Sequence, residues 1–129
     1  MKGIAVEEHE LEASLSEQME RRNYAAAATL AQRLGKPAET IRELQGAAIK
    51  QYITEYRNAS GTMALVQEFQ FTADEVARVL DAILEEVRAS EGERPPWARK
   101  RYDGKAMKYL DIEEWISQYG APLKRAASP

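Results

Sequence analysis

Few side chains in this sequence could act as catalysts or metal ligands. The 129 residues include a single histidine, His9, and no cysteine, which excludes disulfides, thiol nucleophiles and cysteine-based zinc sites. Asp81 and Glu85 are four residues apart and would share a helix face, so a carboxylate metal site is conceivable, although a solvated face is the simpler interpretation. Neither a glycine-rich phosphate loop nor a nucleophile elbow is present in the sequence. We therefore expect a protein that is not an enzyme and that has no catalytic residue, cofactor or metal.

The densest group of ligand-binding residue types lies near the C-terminus, where basic and aromatic residues alternate. Such a combination can follow a phosphate backbone and stack on bases. Alternatively, the aromatic residues anchor this segment to the helical body while its cations face the acidic residues Asp81, Glu85 and Glu86. The residues concerned are Arg94, Trp97, Arg99, Lys100, Arg101, Tyr102, Lys105, Lys108 and Tyr109.

A second candidate for ligand binding is the segment 28–44. Ala31 is small enough to let two helices cross closely, and Gly35 would form the turn between them. The apolar residues that would seal this helix pair are Leu34, Ile41 and Leu44. In this pattern the segment resembles the helix-turn-helix of bacterial DNA-binding proteins, which implies that the helix after the turn enters the major groove. The residues that would then contact bases and phosphates are Thr40, Arg42, Gln45 and Lys50.

Helix packing without DNA recognition is the favoured interpretation of the same segment. Glu39 and Glu43 would bring carboxylates close to the phosphates. A second copy of the hairpin pattern has Gln70 in place of Gly35. The copies, residues 30–52 and 65–87, align at an offset of 35, which is typical of two helical hairpins stacked side by side.

Charge is unevenly distributed along the chain. Residues 59–93 contain two basic and eight acidic residues, a formal charge of −6, whereas residues 94–129 contain eight basic and four acidic residues, a formal charge of +4. A basic tail suits an acidic partner, but the whole chain carries −3 and would bind polyanions weakly at physiological salt. No apolar run is long enough to span a bilayer, so we expect a cytoplasmic protein without membrane contact.

Helical periodicity predicts most of the elements. Leu11, Leu15 and Met19 recur at four-residue spacing, which indicates an amphipathic first helix that ends near Asn23. Further helices are predicted over residues 24–34, 37–57, 62–69 and 73–89. Gly46 is expected to face the alanines of segment 25–28, with the two backbones packed closely.

The residues after position 92 form a different kind of segment. Pro95 and Pro96 mark a linker, and residues 97–110 are predicted to be irregular, with a two-residue hairpin at Asp103-Gly104 as the alternative. A short helix is expected over residues 112–119, ended by Gly120 and Pro122, and the last four residues are expected to fray.

The sequence thus predicts an all-α protein: an N-terminal helix, two stacked αα-hairpins, a Pro-Pro linker and a short C-terminal helix. We divide it into a helical domain, residues 1–92, and a basic aromatic C-terminal segment, residues 93–129. The function predicted first is a protein-protein interaction or self-association module, with a homodimer expected. The apolar contact would come either from Leu11, Leu15 and Met19 or from the region of Trp97 and Trp115. The alternative is a helix-turn-helix DNA-binding regulator. In that case Arg99, Lys100 and Arg101 would also contact the DNA.

Overall fold

The structure, a computed structural model, describes residues 2–90 and 92–128, with side chains from residue 7 onward. Helices account for most of the described chain, which confirms the all-α prediction. The helices are α1 (Lys2–Glu20), α2 (Tyr24–Arg33), α3 (Ala38–Thr54), α4 (Ala59–Glu68), α5 (Ala73–Ala89) and α6 (Ile112–Ala126). Between α5 and α6 lie a 3-10 turn (Pro96–Ala98) and two strands, β1 (Arg101–Asp103) and β2 (Lys108–Leu110).

The contacts within the chain define two units, residues 1–49 and residues 50–129, and the division falls inside α3. In the first unit, α1 packs against α2. In the second, α6 packs against both α4 and α5 and also contacts β2 and the 3-10 turn. The domain boundary predicted after residue 92 does not coincide with this division, because residues 93–129 share the second unit with α4 and α5.

The two helix pairs have equal dimensions. Helices α2 and α4 each contain 10 residues, and α3 and α5 each contain 17. All four bounds of the second pair lie 35 residues beyond those of the first. In both pairs an asparagine, Asn23 or Asn58, precedes the short helix, and a residue with positive φ follows its C-cap: Gly35 at 68° and Gln70 at 54°. The repeat seen in the sequence is therefore present in the helix bounds.

Local sequence signals set two of the helix starts. Thr72 accepts a hydrogen bond from the backbone N–H of Glu75, whose side chain accepts one from the N–H of Thr72. Asp111 and Glu114 form the same reciprocal pair at the start of α6. Each capping box depends on residues only three positions apart, so the local sequence is enough to indicate both helix starts.

Helix α6 is longer than predicted. Gly120 and Pro122 lie inside it, and the helix continues to Ala126. The reason is the apolar stripe that α6 presents to α4 and α5, which does not end at Tyr119. Leu123, one turn further on, is also fully buried, and its burial favours continuing the helix over breaking it at the proline.

Two other expectations were wrong. A Cβ added to Gly46 would meet no atom of the described chain within 4 Å, apart from its chain neighbours and the backbone of its own helix. Gly46 therefore does not mediate a close approach of helices. The C-terminal residues were expected to fray, but Ser128 is bonded to the rest of the second unit. Its backbone N–H donates a 2.9 Å hydrogen bond to the carbonyl oxygen of Phe71. Among the described residues, none of the helices has the length and hydrophobicity required to span a bilayer.

Candidate functional site

Residues 99–110, which we call the basic hairpin, fold as an antiparallel pair of strands joined by residues 104–107. Tyr102 is paired with Tyr109, and Arg101 with Leu110. The sequence favoured an irregular segment here, which was wrong, and the alternative two-residue turn is replaced by a four-residue one. Because side chains alternate across a strand, Leu110 is buried while both tyrosines point outward.

Arg57, two residues beyond the turn that ends α3, links strand β2 to the segment that leads into β1. Its Nη1 donates to the carbonyl oxygen of Leu110 at 3.1 Å. Its Nη2 donates to the carbonyl oxygens of Trp97 and Arg99, each at 2.8 Å. Burial lowers the pKa of Arg57, and the nearby charge of Arg101 lowers it further. The guanidinium stays charged, because even a lowered arginine pKa lies far above neutrality.

A second attachment joins the basic hairpin to α6. The hydroxyl of Tyr119 donates a hydrogen bond to Oδ2 of Asp103, while Oδ1 accepts from the backbone N–H groups of Lys105 and Ala106. These hydrogen bonds, the one from Tyr119 first, lower the pKa of Asp103. Burial, followed by the hydrogen bond and charge of Asp103, raises the pKa of Tyr119 to about 12. At neutral pH the pair is therefore a carboxylate and a neutral phenol.

The outer face of the basic hairpin combines aromatic surface with positive charge. The rings of Tyr102 and Tyr109 meet edge to face, with centroids 5.4 Å apart, and are 57% and 63% exposed. Met107, in the turn, is 77% exposed. The hairpin contains five basic residues and one acidic residue, a formal charge of +4. Of these cations, Lys100 is the one that forms an ion pair within the described chain, at 3.5 Å from Glu114.

A shallow pocket of about 220 Å³ lies at the base of the basic hairpin. Its lining includes Tyr56 and Tyr102, both of which are exposed, together with Arg57 and Arg101. The carboxylate of Asp103 also lines it. The pocket thus offers aromatic surface and two cations against one anion.

The apolar residues predicted on α1 present a narrow surface. Leu11 and Leu15 are half-buried, while Met19 is 41% exposed. Leu11 also lines an open groove with Arg33 on α2 and with two glutamates. Met19 is therefore the most exposed of these three apolar side chains on α1.

The two tryptophans predicted as contact residues have different surroundings. Trp97 is half-buried, and the Nζ atom of Lys50 lies 5.9 Å from its ring centroid, within cation–π range. Trp115 is 2% exposed and packs against Tyr119, with ring centroids 4.9 Å apart and ring planes tilted by 50°. Because Trp115 belongs to the core of the second unit, it offers almost no surface to a partner, contrary to the prediction.

The residues predicted to read DNA from α3 do not share an exposed face. Thr40 is exposed, but Gln45 is 7% exposed and accepts a hydrogen bond from Arg42 at 2.9 Å. Lys50 forms an ion pair with Glu86 at 2.8 Å. By contrast, the three cations predicted at the start of the basic hairpin are all exposed and adjacent: Arg99, Lys100 and Arg101.

In the described part of the chain, histidine, aspartate and glutamate nowhere gather in a group of three that could hold a metal ion. His9, Asp81 and Glu85 are all exposed, in agreement with their interpretation as surface residues. Sequence reasoning missed Arg57, Tyr56 and Tyr119, since nothing in their local sequence indicates which distant residues they contact.

Comparison with protein-family models, with curated proteins and with solved structures finds no match to this chain.

Proposed function

We propose that this protein binds nucleic acid through the basic hairpin and is not an enzyme. The observation that carries the proposal is the coincidence of an exposed tyrosine pair with four cations that form no ion pair in the described chain. Phosphates are attracted by such cations and bases stack on such rings. Nucleic-acid binding was the alternative function predicted from the sequence. The proposed binding surface is the basic hairpin instead of α3.

The acidity of the whole chain does not prevent such binding. The Debye length is about 8 Å at physiological ionic strength, so a phosphate at the hairpin responds mainly to charges within that distance. The local formal charge of +4 is attractive, while the net charge of −3 limits the affinity. We expect modest, strongly salt-dependent binding, in the cytoplasm where nucleic acid is available.

The test is fluorescence anisotropy with labelled DNA of mixed sequence, single-stranded and duplex, between about 50 and 200 mM salt. Lys105→Glu with Lys108→Glu should weaken binding and make the slope of log K against log salt shallower by about one to two. The matched control is Arg78→Glu with Arg88→Glu, which changes the net charge equally on the exposed surface of α5. If neither DNA form binds at the lowest salt, or if the control pair weakens binding as much as the hairpin pair does, the proposal is wrong.

A second candidate function is the protein-protein interaction or self-association module predicted from the sequence. Its support is the exposed Met19 beside the half-buried Leu11 and Leu15 on α1. If α1 mediates a homodimer, light scattering should give a mass above 14.5 kDa, and Met19→Glu should return it to that value. Ser16→Glu, an equal charge change at another exposed position of α1, is the control.

A further inference from the structure

The pocket at the base of the basic hairpin contains guanidinium donors that the protein itself does not use. A guanidinium has five N–H groups. Three of those in Arg57 donate to backbone carbonyl oxygens, which leaves one Nη1–H and the Nε–H. The Nε atom is buried and has no hydrogen-bond partner in the described chain. Because the Nε atom is closed to solvent, the remaining Nη1–H is the donor through which Arg57 could bind a ligand in the pocket.

The second arginine of the pocket is also open to an anion. Arg101 donates from Nη1 to the backbone carbonyl of Glu55 and forms no ion pair with a carboxylate in the described chain. Asp103 is the anion of the lining, and its oxygens already accept hydrogen bonds from Tyr119 and from two backbone N–H groups of the turn. Asp111, outside the lining, raises the pKa of Arg57 by its charge. The charge balance of the lining therefore favours an anionic ligand.

Two aromatic rings flank these cations. Tyr56 and Tyr102 are 56% and 57% exposed, and each is supported by another tyrosine. Tyr56 contacts Tyr52 at 5.3 Å between centroids, and Tyr102 contacts Tyr109 at 5.4 Å, both edge to face. Edge support restricts ring motion while leaving ring surface accessible to a planar ligand.

We infer that this pocket takes one unpaired nucleotide, with its base against Tyr56 or Tyr102 and its phosphate on Arg57 and Arg101. The inference rests on the proposed function and specifies its ligand as single-stranded nucleic acid. A base in a duplex is paired and stacked on its neighbours, so entering the pocket would require unstacking, which disfavours the duplex by a few kcal/mol. A single strand provides the base without that penalty.

The experiment compares single-stranded DNA with the duplex of the same sequence at constant salt. Single-stranded DNA should bind about tenfold or more tightly than the duplex, since stacking on one aromatic ring contributes about 1–3 kcal/mol. Tyr56→Ala should remove most of that preference and leave duplex binding unchanged, while Tyr56→Phe should retain it. Tyr24→Ala, which removes a partly exposed tyrosine of α2 outside both the hairpin and the pocket, is the control and should change neither affinity.

A second measurement does not depend on polymer binding. Titration with deoxyadenosine 5′-monophosphate should shift the NMR signal of the Arg57 Nε–H, and Tyr56→Ala should weaken the effect. Equal affinity for the two DNA forms, together with an unshifted Nε–H, would overturn the pocket inference while leaving the proposed function standing. If both DNA forms fail to bind while the mononucleotide still shifts the Nε–H, the proposed function fails and the pocket is a nucleotide site alone.

Discussion

Tyr119 donates a hydrogen bond to Asp103 across the gap between α6 and the first strand of the basic hairpin. The phenol is buried in the core of the second unit, whereas the carboxylate also receives two N–H groups of the turn. One hydrogen bond thus joins the packing of the helices to the conformation of the hairpin. Its two partners shift each other's pKa in opposite directions, which makes the contact measurable.

The first prediction concerns alkaline pH. The pKa of Tyr119 is raised from 10.0 to about 12, so below pH 10 the phenol is neutral in both folded and unfolded chains. As the pH rises from 10 towards 12, the unfolded chain loses this proton and the folded chain keeps it. The free energy of unfolding should therefore fall by on the order of 1 kcal/mol across that window, because solvent near the hydroxyl screens part of the effect.

Urea unfolding at a series of pH values measures this decline. Tyr119→Phe should be less stable at neutral pH, because it loses a hydrogen bond to a charged group, and it should show a smaller alkaline decline. The other tyrosines ionise in both proteins, so the difference between the two curves isolates Tyr119. Parallel curves for the parent and Tyr119→Phe would contradict the assignment.

The second prediction concerns Arg57. Arg57→Met should lower the free energy of unfolding by about 2–4 kcal/mol, because three carbonyl oxygens lose a charged donor. Arg57→Lys should recover only part of this stability, since an ammonium group cannot reach three oxygens with the planar geometry of a guanidinium. Hydrogen exchange provides the local readout: the amides of residues 97–110 should lose protection more than those of α1 and α2. Uniform loss across the chain would count against a specific role in holding the hairpin.

A third prediction uses two glycines as a matched pair. Gly46→Ala should stabilise the protein by about 0.5–1 kcal/mol, because alanine is the better helix former and its Cβ meets no atom within 4 Å. Gly35→Ala should destabilise it by about 1–2 kcal/mol, because the φ of 68° is unfavourable for a residue with a Cβ. Thermal or urea unfolding of the two variants checks the opposite signs. If Gly46→Ala were destabilised, the result would support a close helix contact at Gly46, contrary to the structure.

The fourth prediction separates core residues from surface residues in the second unit. Trp115→Ala should lower the free energy of unfolding by about 3–5 kcal/mol, as expected for a large aromatic side chain that is 2% exposed. Met107→Ala, at a position 77% exposed, should change it by less than about 0.5 kcal/mol. Urea unfolding measures both. If Trp115→Ala unfolds at nearly the same urea concentration as the parent, Trp115 is not a core residue.

The parts of the fold that the sequence predicted are those set by neighbouring residues. The capping boxes at Thr72 and Asp111, the positive φ of Gly35 and the amphipathic spacing on α5 each depend on residues within one or two helical turns. Such signals can be interpreted without knowledge of the rest of the molecule. The 35-residue repeat belongs with them, since it compares two such local patterns.

The parts that the sequence did not predict depend on distant residues. Each strand of the basic hairpin has three residues without β-branching. Arg57 bonds to Leu110 in β2 and to Trp97 and Arg99 before β1, all forty or more residues further along the chain. The continuation of α6 past Pro122 depends on the burial of Leu123 against other helices. For the candidate site, the cations Arg99, Lys100 and Arg101 were identified from the sequence, but the pocket residues Tyr56 and Arg57 come from a different part of the chain.

The link between Ser128 and Phe71 has a practical consequence for handling the protein. Because Ser128 is bonded to the turn between α4 and α5, a label or tag attached beside Ser128 would disturb the interior of the second unit. Protease cleavage that removes Ser128 would likewise release that turn.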